Sequence, residues 1–190
     1  MRQLTARTIR NIAVLSVLAG TVMSVGVQAQ YQQRGGNSRQ NNSNQQQSPI
    51  AIAHRTLEQA ARVMESALPI YDGHRHRSIE LAKMAAKEVV EAANGAPADP
   101  LAGTPGHKTA AQRAGLVKKG GNVALSQFTA AQISASNIKM QKGLVLLQQG
   151  LSQVQAIGND PGGHMGDAVV FLNHAINAAN TGLQYVSTAR

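Results

Sequence analysis

Cysteine and tryptophan are absent from this 190-residue chain. Without a thiol there is no disulfide framework, no thiolate metal site, no cysteine nucleophile and no lipid-bearing amino-terminal cysteine. Aromatic residues make up 3% of the chain and charged residues 14%; clefts that carry out chemistry usually need both, so the composition speaks against an elaborate active site. Acidic residues are also scarce, with 9 Asp plus Glu against 18 Lys plus Arg, a net charge of +9. The length allows one ordinary domain at most.

The only long apolar run is near the start. Arg2, Arg7 and Arg10 precede an apolar stretch over 12–27 that is interrupted only by small residues, and Val27-Gln28-Ala29 follows with small residues at the exit. This order of features predicts a secretory signal peptide over 1–29, cleaved after Ala29; an uncleaved anchor is the competing reading. Cleavage takes three arginines from the 18 basic residues, leaving 15 against 9 acidic ones on a 161-residue mature chain, a net of +6. No later stretch is apolar enough to span a bilayer, so the expectation is an exported protein, periplasmic or extracellular.

Residues 30–48, QYQQRGGNSRQNNSNQQQS, offer almost nothing to bury. Such a Gln/Asn-rich tract predicts a disordered linker, with strand-like self-association as the alternative. Order is expected from Ser48-Pro49, a helix cap followed by proline at the first helical position. The ordered region then reads as a hairpin over 49–94, a Pro- and Gly-rich loop over 95–106, and a second hairpin over 107–190. Helix A carries Leu57, Ala60, Ala61 and Met64 on one stripe; helix B spans 74–93; a short helix is expected over 107–119. Helix C covers 122–157, with Leu125, Thr129, Ile133, Leu147 and Leu151 on its stripe, and helix D covers 164–188. Gly143 and Gly150 lower the propensity of helix C but allow close approach by a neighbour.

A shift of 90 residues lays Gly73-His74 on Gly163-His164, and Ile79, Ala85 and Val89 on Val169, Ala175 and Ala179. Two similar hairpins, each with an apolar stripe to cover, predict an all-α four-helix bundle built from tandem antiparallel helical hairpins. Its expected core includes Leu57, Met64, Ile79, Val89, Leu147, Leu151, Leu172 and Ile176.

The segment GHRHRSIELAKMAAKEVVEAA (73–93) resembles a Gly-His-Arg-x-x-Ala-Ile-x-x-Leu-x-x-Ala-x-x-Glu repeat of small exported bacterial helical proteins, most without an assigned activity. In the second copy Met165 stands for the Arg and Ala178 for the Glu. In architecture the chain is also similar to small periplasmic metal-binding four-helix bundles, which are usually richer in His and carboxylate.

Six histidines are present, His54, His74, His76, His107, His164 and His174, with no HExxH, no His pair at i, i+4 and no Glu-x-x-His. In an up-down-up-down bundle the two Gly-His turns share one end. His74, His76 and His164, with Asp72, Asp160 and Asp167, are then candidate ligands for Zn, Cu or Ni; in the plainer reading each ring serves only to fix its turn. His54 and His174 read as boundary residues. No GxSxG elbow occurs, and the Gly103–Lys108 stretch lacks phosphate-loop spacing. The chain therefore reads as non-catalytic, a binding or interaction module of the cell envelope with no cofactor required. Its partner is a protein or an anionic envelope component such as phospholipid, wall polymer or polysaccharide, met by Arg34, Arg39, Arg75, Arg77, Lys118 and Lys119. Nucleic acid is not expected, because export removes the encounter and the basic residues are not interleaved with aromatics.

Overall fold

The computed structural model describes residues 48–97, 104 and 108–189. The expected signal peptide, residues 30–47 of the linker expected over 30–48, and His107 lie outside these residues. Among the described residues the secondary structure is helical, with no strand: α1 (Pro49–Glu65), α2 (His74–Ala93), α3 (Ala110–Leu116), α4 (Ala130–Ile157) and α5 (His164–Thr188), plus one 3-10 turn at Leu125–Gln127. No helix among them is long and apolar enough to cross a membrane.

The helix ends follow from local hydrogen bonding. Ser48 Oγ accepts the Ala51 N–H at 3.1 Å and Pro49 opens α1, so of the donors that the helix leaves free one is satisfied and one is missing. At the other end, Arg75 Nη1 donates to the carbonyls of Met64, Glu65 and Ala67 at 3.3, 2.9 and 3.0 Å. The guanidinium from the start of α2 thus closes α1 and holds the turn between them.

Two helices start later than the periodicity suggests. α4 begins at Ala130 and not at residue 122, because Thr129 is its cap and not a core residue. Thr129 Oγ1 accepts the Gln132 N–H at 3.2 Å while Gln132 Oε1 accepts the Thr129 N–H at 2.8 Å, a reciprocal capping box. Thr109 and Gln112 do the same for α3, which is shorter than the expected 107–119. The residues before α4 are used differently: Val123 N–H donates to Pro69 O at 2.8 Å and Asn122 Oδ1 accepts the Asp72 N–H at 3.0 Å. They lie across the α1–α2 turn.

Close neighbours fix the direction of each helix. Gly150 and Gly143 of α4 stand against Leu57 and Met64 of α1, so the higher residue of one helix meets the lower residue of the other. α1 and α4 are antiparallel. On the other side, Gly182 of α5 stands against His74, Ser78 Oγ donates to Ala175 O at 2.8 Å, and Glu88 meets His164. α2 and α5 are therefore antiparallel as well. The up-down-up-down order expected from sequence does not hold: the connection through α3 carries the chain back along the molecule before α4 begins.

The core runs between these four long helices. Leu57, Met64, Ile79, Val89, Leu147 and Leu172 are buried as expected, whereas Leu151 and Ile176 sit at its edge, partly buried. Tyr71 and Ile70, from the turn and not from a helix, are fully buried. Tyr71 Oη lies 2.8 Å from Ser136 Oγ and donates to Asn137 Oδ1 at 3.0 Å, while Ser136 Oγ also accepts the Leu68 N–H at 2.8 Å. A buried hydroxyl pair thus ties the first turn to α4.

Candidate functional site

Both Gly-His turns use the same backbone device. Gly73 and Gly163 precede their helices with φ of 70° and 76°, a left-handed conformation that costs glycine little. At Gly73 space is a second constraint, since a Cβ there would collide with the Gly120 backbone.

The antiparallel pairing puts the two histidines far apart. His74 packs beside Gly182 near the end of α5, and His164 lies at Glu88 and Glu91 near the end of α2. The step from residue 74 to residue 88 within α2 spans about 20 Å at 1.5 Å per residue. No common ion can bridge them, and the shared site expected from sequence does not form.

At the His74 end, Asp72 is engaged by Lys119 at 2.7 Å, with His74 Nε2 at 3.8 Å from the same oxygen. The Lys119 hydrogen bond holds the Asp72 carboxyl below the usual range, against a smaller effect of burial. His74 is shifted down, first by burial and then by the charge of Lys119, with Arg77 adding to it and Asp72 opposing. Its Nδ1 is buried without a hydrogen-bond partner. Beside it lies a cleft of about 140 Å³ lined by His74, Arg77, His174, Asn177, Ala178 and Thr181. No carboxylate lines this cleft. His76 is exposed and covers Gly120.

At the other end the structure assembles what the sequence reading missed. His164 Nδ1 lies 2.9 Å from Glu88 Oε2 and 3.3 Å from Glu91 Oε2, and its Nε2 faces Pro97 O at 3.3 Å. Glu88 is 4% exposed, and its second oxygen accepts from Arg113 Nη1 at 3.1 Å. Arg113 also bonds Asp167, and its guanidinium carbon stands 5.1 Å from the Phe171 ring centroid. Lys87 holds the second oxygen of Glu91 at 3.3 Å. Asp160 fixes the turn by accepting the His164 and Met165 N–H groups at 3.2 and 2.7 Å. Of the expected ligands, then, Asp160 and Asp167 are drawn into capping and into an arginine bridge. Of that set, His164 alone enters a cluster of metal-ligating residue types, with Glu88 and Glu91.

The hydrogen bond to Glu88 raises the pKa of His164, and burial opposes it; the Pro97 carbonyl and the charges of Glu88 and Glu91 add to the rise. Both ring nitrogens face acceptors, which suits the doubly protonated ring. A sequence signal for Glu88 existed. It sits three residues after Ala85 and seven after Leu81, on the buried stripe, where an unpaired carboxylate would be costly.

Comparisons of this chain with family models, with curated proteins and with solved structures found no match.

Proposed function

We propose that the chain is an exported, non-catalytic helical protein that acts as a binding module in the cell envelope and engages an anionic component there. The observation that carries this reading is the way charge is distributed in the fold. Every acidic side chain among the described residues is engaged internally: Glu58, Glu65, Asp72, Glu80, Glu88, Glu91 and Asp167 by basic side chains, and Asp160 by backbone N–H groups. Arg55, Lys108, Lys118 and Lys142 are exposed and have no acidic partner among the described residues. The surplus positive charge is thus turned outward, where it attracts an anionic surface over a distance set by salt.

Which cations take part differs from the sequence expectation. Arg75 is used to close α1 and Lys119 to hold Asp72, and Arg77 donates to Ala114 O. Lys118 remains available, while Arg34 and Arg39 fall outside the described residues. The cleft beside His74 is lined by no acid.

The architecture that suits this role is a four-helix bundle of two tandem antiparallel hairpins, packed against each other with α1 on α4 and α2 on α5. The export reading rests on the arginine-led apolar run over 1–29, and the likeness of 73–93 to exported bacterial helical proteins agrees with it.

Sedimentation with vesicles tests the binding. The purified chain should sediment with vesicles rich in anionic phospholipid and not with zwitterionic ones, and rising salt should release it. Failure to bind either anionic vesicles or isolated anionic wall polymer would sink the proposal, and intact mass of the secreted chain checks cleavage after Ala29.

A further inference from the structure

We infer that His164, Glu88 and Glu91 form a binding site for one divalent transition ion of the zinc class, at the junction of the α4–α5 turn with the end of α2. This inference is independent of the anionic-partner reading. One ligand atom from each of His164, Glu88 and Glu91 converges from two helices, the three within 4.8 Å of one another, and His164 Nδ1 faces Oε2 of both glutamates. A tetrahedral zinc ion with ligands at about 2.0–2.2 Å sets neighbouring ligand atoms about 3.3–3.6 Å apart. The two nitrogen-to-oxygen separations here are 2.9 and 3.3 Å, so on the histidine side an ion requires the ligand atoms to open by only a few tenths of an ångström to about half an ångström.

The surroundings are those that a metal-bound histidine needs. With an ion on Nδ1, the remaining proton of the ring sits on Nε2 and is donated to Pro97 O, 3.3 Å away; a backbone carbonyl in that position orients the ring and fixes its tautomer. The outer oxygens of both glutamates are anchored by Arg113 and Lys87, which leaves the inner oxygens directed at the histidine. The ion takes the place of the Nδ1 proton, which passes to solvent. Two carboxylates with one imidazole, and no thiolate, favour Zn over the soft Cu(I) ion, and the imidazole favours it over Mg. Glu91 is about one-third exposed, so the ion has a route in and a position left for water.

Calorimetry of the chelator-treated chain with Zn decides the matter. Wild type should bind one equivalent. Glu91→Gln, which keeps side-chain size at a partly exposed position, should weaken binding at least about tenfold with unchanged helical circular dichroism. His74→Ala, at the other end of α2, should leave the isotherm as it is. Co in place of Zn should give the visible absorption of a four- or five-coordinate ion, lost in His164→Ala; if that variant does not fold, Glu88→Gln with the Zn isotherm takes its place. Absence of saturable binding, full affinity in Glu91→Gln, or loss of binding in His74→Ala would each overturn the assignment.

Discussion

Leu57 of α1 fills the space that a side chain at Gly150 of α4 would need: a Cβ on Gly150 would press into Leu57 Cδ2, with Cγ only 3.2 Å away. The absence of a side chain is what lets the two backbones approach. Gly143 meets Met64 in the same way seven residues earlier, so both glycines that weaken α4 as an isolated helix serve its contact with α1.

Gly150→Val should therefore destabilise the protein. Valine gains part of the roughly 1 kcal/mol of helix propensity lost at glycine, but overpacking a fully buried contact costs about 1–3 kcal/mol, and its branched carbon leaves little rotamer choice. The net expectation is a loss of about 1–2 kcal/mol in denaturant unfolding, whereas Gly115→Ala, in open space, should not lower stability.

Ser136 and Tyr71 should differ in a graded way. Ser136→Ala leaves the Leu68 N–H without its acceptor and Tyr71 with only Asn137, a loss of about 1–3 kcal/mol for a buried unsatisfied group. Tyr71→Phe keeps Ser136 on Leu68 and should cost about 1 kcal/mol. Equal effects from chemical denaturation would contradict the hydrogen-bond account of this turn.

His74 gives a pH dependence with a definite sign. Its folded pKa is depressed by burial, Lys119 and Arg77, against Asp72, so the unfolded chain takes up more protons and stability must fall as pH drops below the ordinary histidine value of about 6.5. His164, with its raised pKa, contributes stability that is present below about 6.5 and lost as pH rises above it, so its window adjoins that of His74 and the variant comparison separates the two. His74→Gln should remove its share: relative to wild type the variant should gain stability as pH falls from about 7 toward 5. A pH-independent difference in melting temperature would refute it.

Much of the helix layout was readable from residue order. Gly73 and Gly163 mark the starts of α2 and α5, and the period of apolar residues finds the buried face of each helix. Periodicity does not say which ends of two helices meet. That was settled by the connection after α2, and it separated His74 from His164. Thr129 shows a second limit: its place on an apolar stripe suggested a core residue, while its partner three positions on, Gln132, made it a cap. Glu88 shows a third, because one buried carboxylate has meaning only with Arg113 and His164 beside it, 25 and 76 positions away.

The central claim is that uncompensated surface cations bring the protein to an anionic envelope component, and one measurement addresses it directly: sedimentation with anionic vesicles of the fourfold variant Arg55→Gln, Lys108→Gln, Lys118→Gln, Lys142→Gln beside wild type. The account predicts that the variant keeps its helical circular dichroism and melting temperature but loses most of its vesicle binding at low salt. A variant that sediments as wild type does would contradict it.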